Sequence, residues 1–169
     1  MGHRPPPGLT AVVGMEQGTA GIRPRVSAYA LAARPGTDGP GERILLTRLA
    51  ESSPVFAPGL WHLPGGGVDP GEQPVDTLAR EIAEETGLRV LDARLLDARS
   101  YTAHRLGVSW HLVGLFYRVE LSPGPPRVVE TDGSTTEAAW LPRAGLTPDL
   151  LSPAAADGLR LLEERGAAG

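Results

Sequence analysis

The strongest hydrophobic pattern in the chain is an alternation of apolar positions over residues 109–121. Successive side chains of a β-strand point to opposite faces of the sheet, so a period of two predicts a strand. The apolar residues fall on both faces: Trp110, Leu112 and Phe116 on one, and Val113, Leu115, Tyr117 and Val119 on the other. Because both faces are apolar, we expect other elements to cover this strand on both sides.

Shorter apolar runs predict strands over residues 25–33 and 43–48, on either side of a segment rich in glycine and proline. Residues 137–142 predict a further short strand, and residues 9–15 are a candidate edge strand. Residues 50–67 are typical of a loop and end in three glycines.

Two helices are predicted, each with recognisable ends. The first covers residues 74–86, with a proline at its first position and Gly87 as a left-handed C-cap. Its apolar residues form one stripe: Val75, Leu78, Ala79 and Ile82. The second covers residues 153–165, with Ser152 as N-cap and with Leu159 and Leu162 facing the core. Two helices and a sheet that is apolar on both faces indicate the α/β class, as an α/β/α sandwich.

Length and composition are those of an ordinary folded domain. The chain has 169 residues, 41% of them hydrophobic and 21% charged. We expect a single domain over residues 21–166, after an N-terminal extension, residues 1–20, that is either flexible or one edge strand. The net charge of −4 gives no overall attraction to nucleic acid or to an anionic membrane, so neither is expected as a partner.

The residue types that are missing exclude several kinds of chemistry. The chain has no cysteine, and all 16 of its basic residues are arginine. This excludes disulfides, a thiol nucleophile, a Schiff-base lysine and a Walker-type phosphate-binding lysine. The N-terminus lacks the apolar segment of a secretory signal, and the longest apolar run, residues 26–33, is too short to cross a bilayer. We therefore expect a cytoplasmic location.

Three glutamates, Glu81, Glu84 and Glu85, lie along one side of the first predicted helix at offsets of three and four. Like charges at this spacing repel each other by a few tenths of a kcal/mol per pair. Glu81 and Glu85 fall beside Leu78 and Ile82 on the helix surface, so partial burial should strengthen the repulsion. A divalent cation would make the cluster favourable, and glutamate oxygens suit Mg²⁺ or Mn²⁺.

Three consecutive glycines, Gly65, Gly66 and Gly67, lie shortly before this helix. Glycine lets the backbone approach a ligand closely, and exposed amides can face anionic oxygens. Acidic metal ligands beside such a segment suit hydrolysis of a pyrophosphate link, because cations neutralise phosphate charge and activate water.

These residues resemble the Nudix box: glycine, five residues, glutamate, seven residues, then Arg-Glu-apolar-any-Glu-Glu-any-Gly-apolar. The matching residues are Gly66, Glu72, Arg80, Glu81, Ile82, Glu84, Glu85, Gly87 and Leu88. Every fixed position matches, which is far more specific than a lone glycine pattern. The resemblance implies a Nudix-type α/β/α sandwich with a mixed β-sheet. It also implies a MutT-like hydrolase that uses Mg²⁺ or Mn²⁺ to cleave a nucleoside diphosphate linked to another moiety.

The resemblance further implies roles for the charged residues of the box. Glu81, Glu84 and Glu85 would be metal ligands, and one of them could also act as the general base. Arg80 would pair with Glu72 and orient the cluster rather than touch the substrate. Glu72, Arg80, Glu84 and Glu85 are therefore the candidate catalytic set.

The candidate substrate-binding residues are Gly65, Gly66 and Trp61. By the resemblance, Gly66 would also offer a backbone contact to the metal. Trp61 and Tyr29 could stack on a nucleobase, although packing within the protein is the commoner role for such residues.

Members of this family often recruit a further acid from outside the box as a metal ligand or base. Glu130 and Glu137 are equal candidates here, with Asp132 beside them, and surface charge is the alternative for each.

The substrate stays open between an oxidised nucleoside triphosphate and a nucleotide sugar. ADP-ribose hydrolases often carry a proline where this chain has His104. The alternative function is a non-catalytic Nudix module that senses a nucleotide, but the intact box favours an enzyme. A nucleotide is the expected small-molecule partner, and a homodimer is left open.

Overall fold

The computed structural model describes residues 21–37 and 39–166. The strands of this part of the chain are β1 (Ile22–Leu31), β2 (Ala33–Pro35), β3 (Glu42–Leu49), β4 (Trp61–His62), β5 (Gly65–Gly67), β6 (Val90–Arg105), β7 (Val108–Leu121) and β8 (Thr135–Pro142). The helices are α1 (Pro74–Thr86) and α2 (Pro153–Gly166), with 3₁₀ turns at Arg143–Gly145 and Pro148–Leu150 before α2. None of the described helices is long and apolar enough to cross a membrane.

The strands form two sheets. The first has the order β5–β1–β7–β6; β1 and β7 are parallel, whereas β5 and β6 pair antiparallel with their neighbours, so this sheet is mixed. In the second sheet β3 pairs antiparallel with β2, β4 and β8. The mixed sheet with flanking helices confirms the predicted α/β class, and the second sheet is an addition to that prediction.

Strand β7 is covered on both faces, as its apolar pattern predicts. On one face Phe116 is fully buried in a cluster that includes Leu162 of α2. On the other face Val119 lies in a second cluster with Leu78 and Ile82 of α1. Strand β3 of the second sheet contributes side chains to both clusters, so the two sheets and two helices share a continuous interior.

Helix α1 has the predicted bounds and the predicted cap. Gly87 adopts a left-handed conformation with φ of 68°, and its N–H donates to the carbonyl of Ala83. The predicted apolar stripe is only partly right, because Val75 and Ala79 are exposed. Glu85 shares the buried face with Leu78 and Ile82, which turns that face away from Ala79.

Helix α2 extends one residue beyond the predicted end, and Ser152 caps it as expected. The Ala155 N–H donates to Ser152 Oγ at 3.1 Å. The same hydroxyl pairs with Nδ1 of the buried His62 at 2.6 Å. Leu159 and Leu162 are buried, as their spacing predicts. Ser152 therefore connects the start of α2 to strand β4.

Five strands of the structure differ from the prediction: β1, β2, β4, β5 and β6. The longest, β6, has no counterpart in the predicted elements: much of it is exposed, and irregularities in its pairing with β7 near Asp92 and Asp97 interrupt the alternation. Strands β4 and β5 lie in the predicted loop 50–67. The predicted strand 25–33 divides at Ala32 between β1 and β2. The candidate strand 9–15 lies outside the described residues.

Replacing Ser152 with alanine should lower the free energy of unfolding by about 2 kcal/mol, because it removes a helix cap and leaves a buried histidine nitrogen without its partner. Denaturation in urea measures this change. Ser109→Ala is the matched control, since Ser109 Oγ contacts Nδ1 of His104 at 3.0 Å in an exposed position. Its cost should stay within about 0.5 kcal/mol. Equal costs for the two variants would contradict the assignment.

Candidate active site

The buried carboxylate of Glu85 fixes α1 to both sheets. Its side chain is only 4% exposed, and its two oxygens accept hydrogen bonds from different strands. The Gly65 N–H of β5 donates to Oε2 at 2.9 Å. The Thr135 hydroxyl of β8 donates to Oε1 at 2.7 Å. Thr135 was not a candidate from sequence, because nothing in the chain pattern connects it to a residue fifty positions earlier.

Strand β5 needs glycine at Gly65 and Gly66, because other groups lie where a Cβ atom would be. Gly65 has φ of 138°, and a Cβ at this position would collide with the carbonyl of Ala28 on β1. A Cβ at Gly66 would collide with the carboxylate of Glu81. Glu81 therefore lies directly against the glycine strand. The Gly65 amide, predicted to bind substrate, is instead occupied by Glu85.

Arg80 makes contacts with three glutamates. Its Nε and Nη2 donate to Oε1 and Oε2 of Glu72 at 2.9 and 3.0 Å, a bidentate pair. Its Nη1 contacts Oε1 of Glu81 at 3.0 Å and Oε2 of Glu84 at 3.4 Å. Thr77 also donates to Glu72 at 2.7 Å, and its place five residues after Glu72 gave no signal in the sequence. The expected pairing of Arg80 with Glu72 is present.

The acids of the site differ in how their charge is compensated. Hydrogen bonds from Arg80 and Thr77 lower the pKa of Glu72 to about 2. Burial raises the pKa of Glu85 to about 8, although the hydrogen bonds from Thr135 and Gly65 act in the opposite direction. Burial also raises the pKa of Glu81, with Arg80 acting in the opposite direction. The negative charges of Glu81 and Glu85 are therefore not fully compensated by positive charge within the site.

These residues suit a hard divalent cation by their chemistry. The available donors are carboxylate oxygens and a glycine backbone, the ligands that Mg²⁺ and Mn²⁺ prefer. Within residues 21–37 and 39–166, no three acidic or histidine side chains already converge as a set that could hold a metal ion. Arg80 instead holds the oxygens of Glu81 and Glu84, so a bound cation would compete with its guanidinium for them.

The structure brings Glu130, but not Glu137, towards the acids. The Glu130 N–H donates to the Glu84 carbonyl at 3.0 Å. The charge of Glu130 also contributes to the raised pKa values of Glu81 and Glu85. Glu137 lies beside Arg48 on β3, with an Nη1–Oε2 distance of 3.8 Å, and about half of its side chain is exposed.

Trp61 is not grouped with the acids. It lies on β4 with the Arg48 guanidinium 5.9 Å from its ring, and it bridges to Leu151 at the start of α2. Its neighbour His62 lines a cavity of about 40 Å³ beside Glu85 instead. Tyr29 also lines this cavity; it is almost fully buried and packs edge-on against His62 at 4.8 Å. For Tyr29, packing within the protein is the role that the contacts support.

An open cleft of about 590 Å³ extends from the charged start of α1. Glu72, Arg80 and Glu81 line one side, and Arg25 of β1 and Trp110 of β7 line the other. Arg25 also lines the small cavity beside Glu85. Neither Arg25 nor Trp110 was a candidate from sequence, since the two residues come together only through the parallel pairing of β1 with β7.

The raised pKa of Glu85 predicts a pH-dependent stability for the protein without metal. The folded state holds this proton more tightly than the unfolded state, so the free energy of unfolding should fall as the pH rises from about 4.5 to about 8. Thermal unfolding in EDTA across this range measures the slope. Glu85→Gln should flatten it, whereas Glu164→Gln, an exposed glutamate on α2, should leave it unchanged. An unchanged slope in Glu85→Gln would contradict the expectation.

Comparison with known proteins places the chain in a family. The sequence model described as "NUDIX domain" matches residues 23–162. A MutT-like protein from Streptomyces ambofaciens is 33% identical over 129 residues, which cover 75% of this chain and 71% of that protein. The human 8-oxo-dGDP phosphatase NUDT18 is 35% identical over 93 residues, covering 54% of this chain and 27% of that protein.

The fold agrees with these matches. The crystal structure of a MutT NUDIX hydrolase from Burkholderia pseudomallei superposes with a TM-score of 0.64 and 33% identity, covering 83% of this chain and 98% of that one. The family match includes α1, β5 and every charged residue of the site described above. The chain therefore belongs to the Nudix hydrolase family.

Proposed function

We propose that this hydrolase cleaves the pyrophosphate link of a nucleoside diphosphate joined to a further moiety, with Mg²⁺ or Mn²⁺ as cofactor. The observation that carries the proposal is a pair of acids on α1, Glu85 and Glu81, held against a strand made only of glycine. Both donors to Glu85 are neutral, and Glu81 shares the single charge of Arg80 with two other glutamates. Such a site can bind dications, and dications are what a phosphoanhydride needs for hydrolysis. A nucleotide is accordingly the proposed partner.

Glu81, Glu84 and Glu85 are the proposed metal ligands, with the Gly66 backbone as a further one. Bound there, the cation would neutralise phosphate charge and lower the pKa of a water molecule. Gly66 has no side chain to separate an approaching phosphate from Glu81, which supports its role at the substrate.

Arg80 and Glu72 are positioning residues in this proposal. Their bidentate pair fixes the guanidinium, which in turn fixes the orientation of Glu81 and Glu84. An arginine with this many carboxylate contacts has little capacity left for a substrate phosphate. Glu130 is the proposed further acid, as ligand or base, because it lies close enough to influence the pKa of Glu81 and Glu85.

For the substrate, a nucleoside triphosphate or a nucleotide sugar is proposed. The human relative is described as an 8-oxo-dGDP phosphatase, which favours testing oxidised guanine nucleotides first. The structure offers no specific support for Trp61 as a base-stacking residue. The single domain over residues 21–166, the cytoplasmic location and a homodimer stay predictions.

The test is hydrolysis of a nucleotide panel with Mg²⁺ or Mn²⁺ by the full chain. The panel holds canonical and 8-oxo nucleoside di- and triphosphates, nucleotide sugars, dinucleotides and NADH. We expect at least one to release phosphate, pyrophosphate or a nucleoside monophosphate, and EDTA to abolish the reaction. Glu84→Gln and Glu85→Gln should each lower kcat by at least about 100-fold, the scale for loss of a group that stabilises developing charge.

Glu164→Gln is the control, since it removes an exposed carboxylate from the other helix. It should leave kcat unchanged. Turnover that survives both Glu84→Gln and Glu85→Gln would refute the role of these acids. Tight nucleotide binding without turnover of any panel member would favour the sensing module instead.

A further inference from the structure

Arg25 is a cation of the active-site cleft for which the proposed mechanism has no use. It lies on β1 and lines both the open cleft of about 590 Å³ and the small cavity beside Glu85. It is half-buried, whereas Arg23, two residues earlier on the same strand, is exposed. The guanidinium of Arg25 thus lies between two cavities that acidic residues also line, and the proposed mechanism gives it no role.

The orientation of Arg25 is fixed by two neutral neighbours. Its guanidinium lies against Gly67, where an added Cβ would be only 2.7 Å from Nη2. On another side the Trp110 ring centroid is 5.8 Å from Cζ, within the range of a cation–π contact. Neither neighbour carries charge, so the guanidinium is positioned without being neutralised.

Arg25 differs from Arg80 in having no carboxylate partner among the described residues. Arg80 has ion pairs with four carboxylates, those of Asp69, Glu72, Glu81 and Glu84. Arg25, in contrast, has neither an ion pair nor a hydrogen bond with any residue of the described part of the chain. Removing a charge from water is unfavourable unless a partner replaces the lost hydration. A half-buried guanidinium in a cleft therefore indicates an anionic ligand.

The position of Arg25 relative to the acids indicates which anion. Glu81 lies against Gly66 and Arg25 lies against Gly67. Adjacent residues of a strand face opposite sides of the sheet, so the carboxylate and the guanidinium lie on either side of the edge strand β5. Both line the same cleft. An anion that contacts Arg25 and also a cation held by Glu81 needs two negative groups, and a diphosphate has them.

We propose that Arg25 binds the substrate directly, through non-bridging oxygens of a phosphate group that the acid-bound cation does not hold. A guanidinium offers two parallel N–H donors that match two phosphate oxygens, and Trp110 and Gly67 hold it in the orientation to do so. This inference rests on the proposed function, because it assigns a phosphate-binding residue to the same cleft. It makes Arg25 the residue that selects a diphosphate-containing substrate.

The experiment compares Arg25→Gln, Arg25→Lys and the control Arg23→Gln with the wild-type chain. Calorimetric titration with inorganic pyrophosphate in the presence of Mg²⁺ measures binding, and steady-state kinetics on the best panel nucleotide measures KM and kcat. We expect Arg25→Gln to weaken pyrophosphate binding and to raise KM by about tenfold or more. Arg25→Lys should weaken pyrophosphate binding by about threefold or more, because it keeps the charge and loses the fork. Arg23→Gln should stay within about twofold of wild type.

A purely structural role would lower the melting temperature of Arg25→Gln while leaving pyrophosphate affinity and KM as in wild type, and that result would overturn the proposal. If Arg25→Gln does not fold, wild-type pyrophosphate affinity in Arg25→Lys would overturn it instead. The two proposals fail separately. A wild-type chain that hydrolyses no panel nucleotide refutes the proposed function, while the pyrophosphate titration still decides the role of Arg25.

Discussion

The arrangement of the site depends on the burial of one carboxylate. Glu85 is almost completely removed from water, and both of its hydrogen-bond donors are neutral. Burial of this kind favours the protonated, neutral form of Glu85, and a bound cation would favour the ionised form instead. It also determines packing, because it takes a place on the buried face of α1 that an apolar residue would otherwise fill. Helix, glycine strand and second sheet meet at its two oxygens.

Around this carboxylate the charged residues divide into two groups with different physical characters. Arg80 and Glu72 form a bidentate pair whose charges cancel, with the pKa of Glu72 lowered to about 2. Arg80 also contacts Glu81 and Glu84, so its single charge compensates these acids only in part. Glu85 has only neutral donors, and the charge of Glu130 raises the pKa of both Glu81 and Glu85 further. The bidentate pair of Arg80 and Glu72 fixes the side chains of the site. The acids whose charge is not fully compensated would attract a cation. Lysine could not replace Arg80, because a single ammonium group lacks the planar fork that reaches several carboxylates in fixed directions.

Local patterns predicted the parts of the fold that depend on local chemistry. The bounds of α1 followed from a proline at its start and Gly87 at its end, and the double burial of β7 followed from its two apolar faces. The charged residues of the box were found because their spacing is itself the signal. Strand β6 was missed, since the irregularities in its pairing with β7 shift its apolar residues from one face to the other and break the alternation that marks a strand. Strand β5 was missed because glycine has no strand preference.

The rest of the site depends on contacts between residues distant in sequence. Thr135 reaches Glu85 because β8 belongs to the second sheet, and Arg25 meets Trp110 because β1 and β7 run parallel. Neither contact can be inferred from the amino-acid sequence alone. The choice between Glu130 and Glu137 was undecidable from sequence for the same reason: the two acids lie seven positions apart, yet one approaches α1 and the other pairs with Arg48.

Strand β5 contributes no side chain to either core cluster, because all three of its residues are glycine. Its backbone bonds to β1 and the single carboxylate of α1 account for its attachment. Segments attached in this way open locally at a lower free energy than the whole domain. The amide protons of β5 would then exchange with solvent through the local separation of this edge strand from β1, while α1 stays packed through Leu78 and Ile82. A ligand that binds only when β5 is paired with β1 would hold this edge strand in place, and by linkage it would also stabilise the domain as a whole.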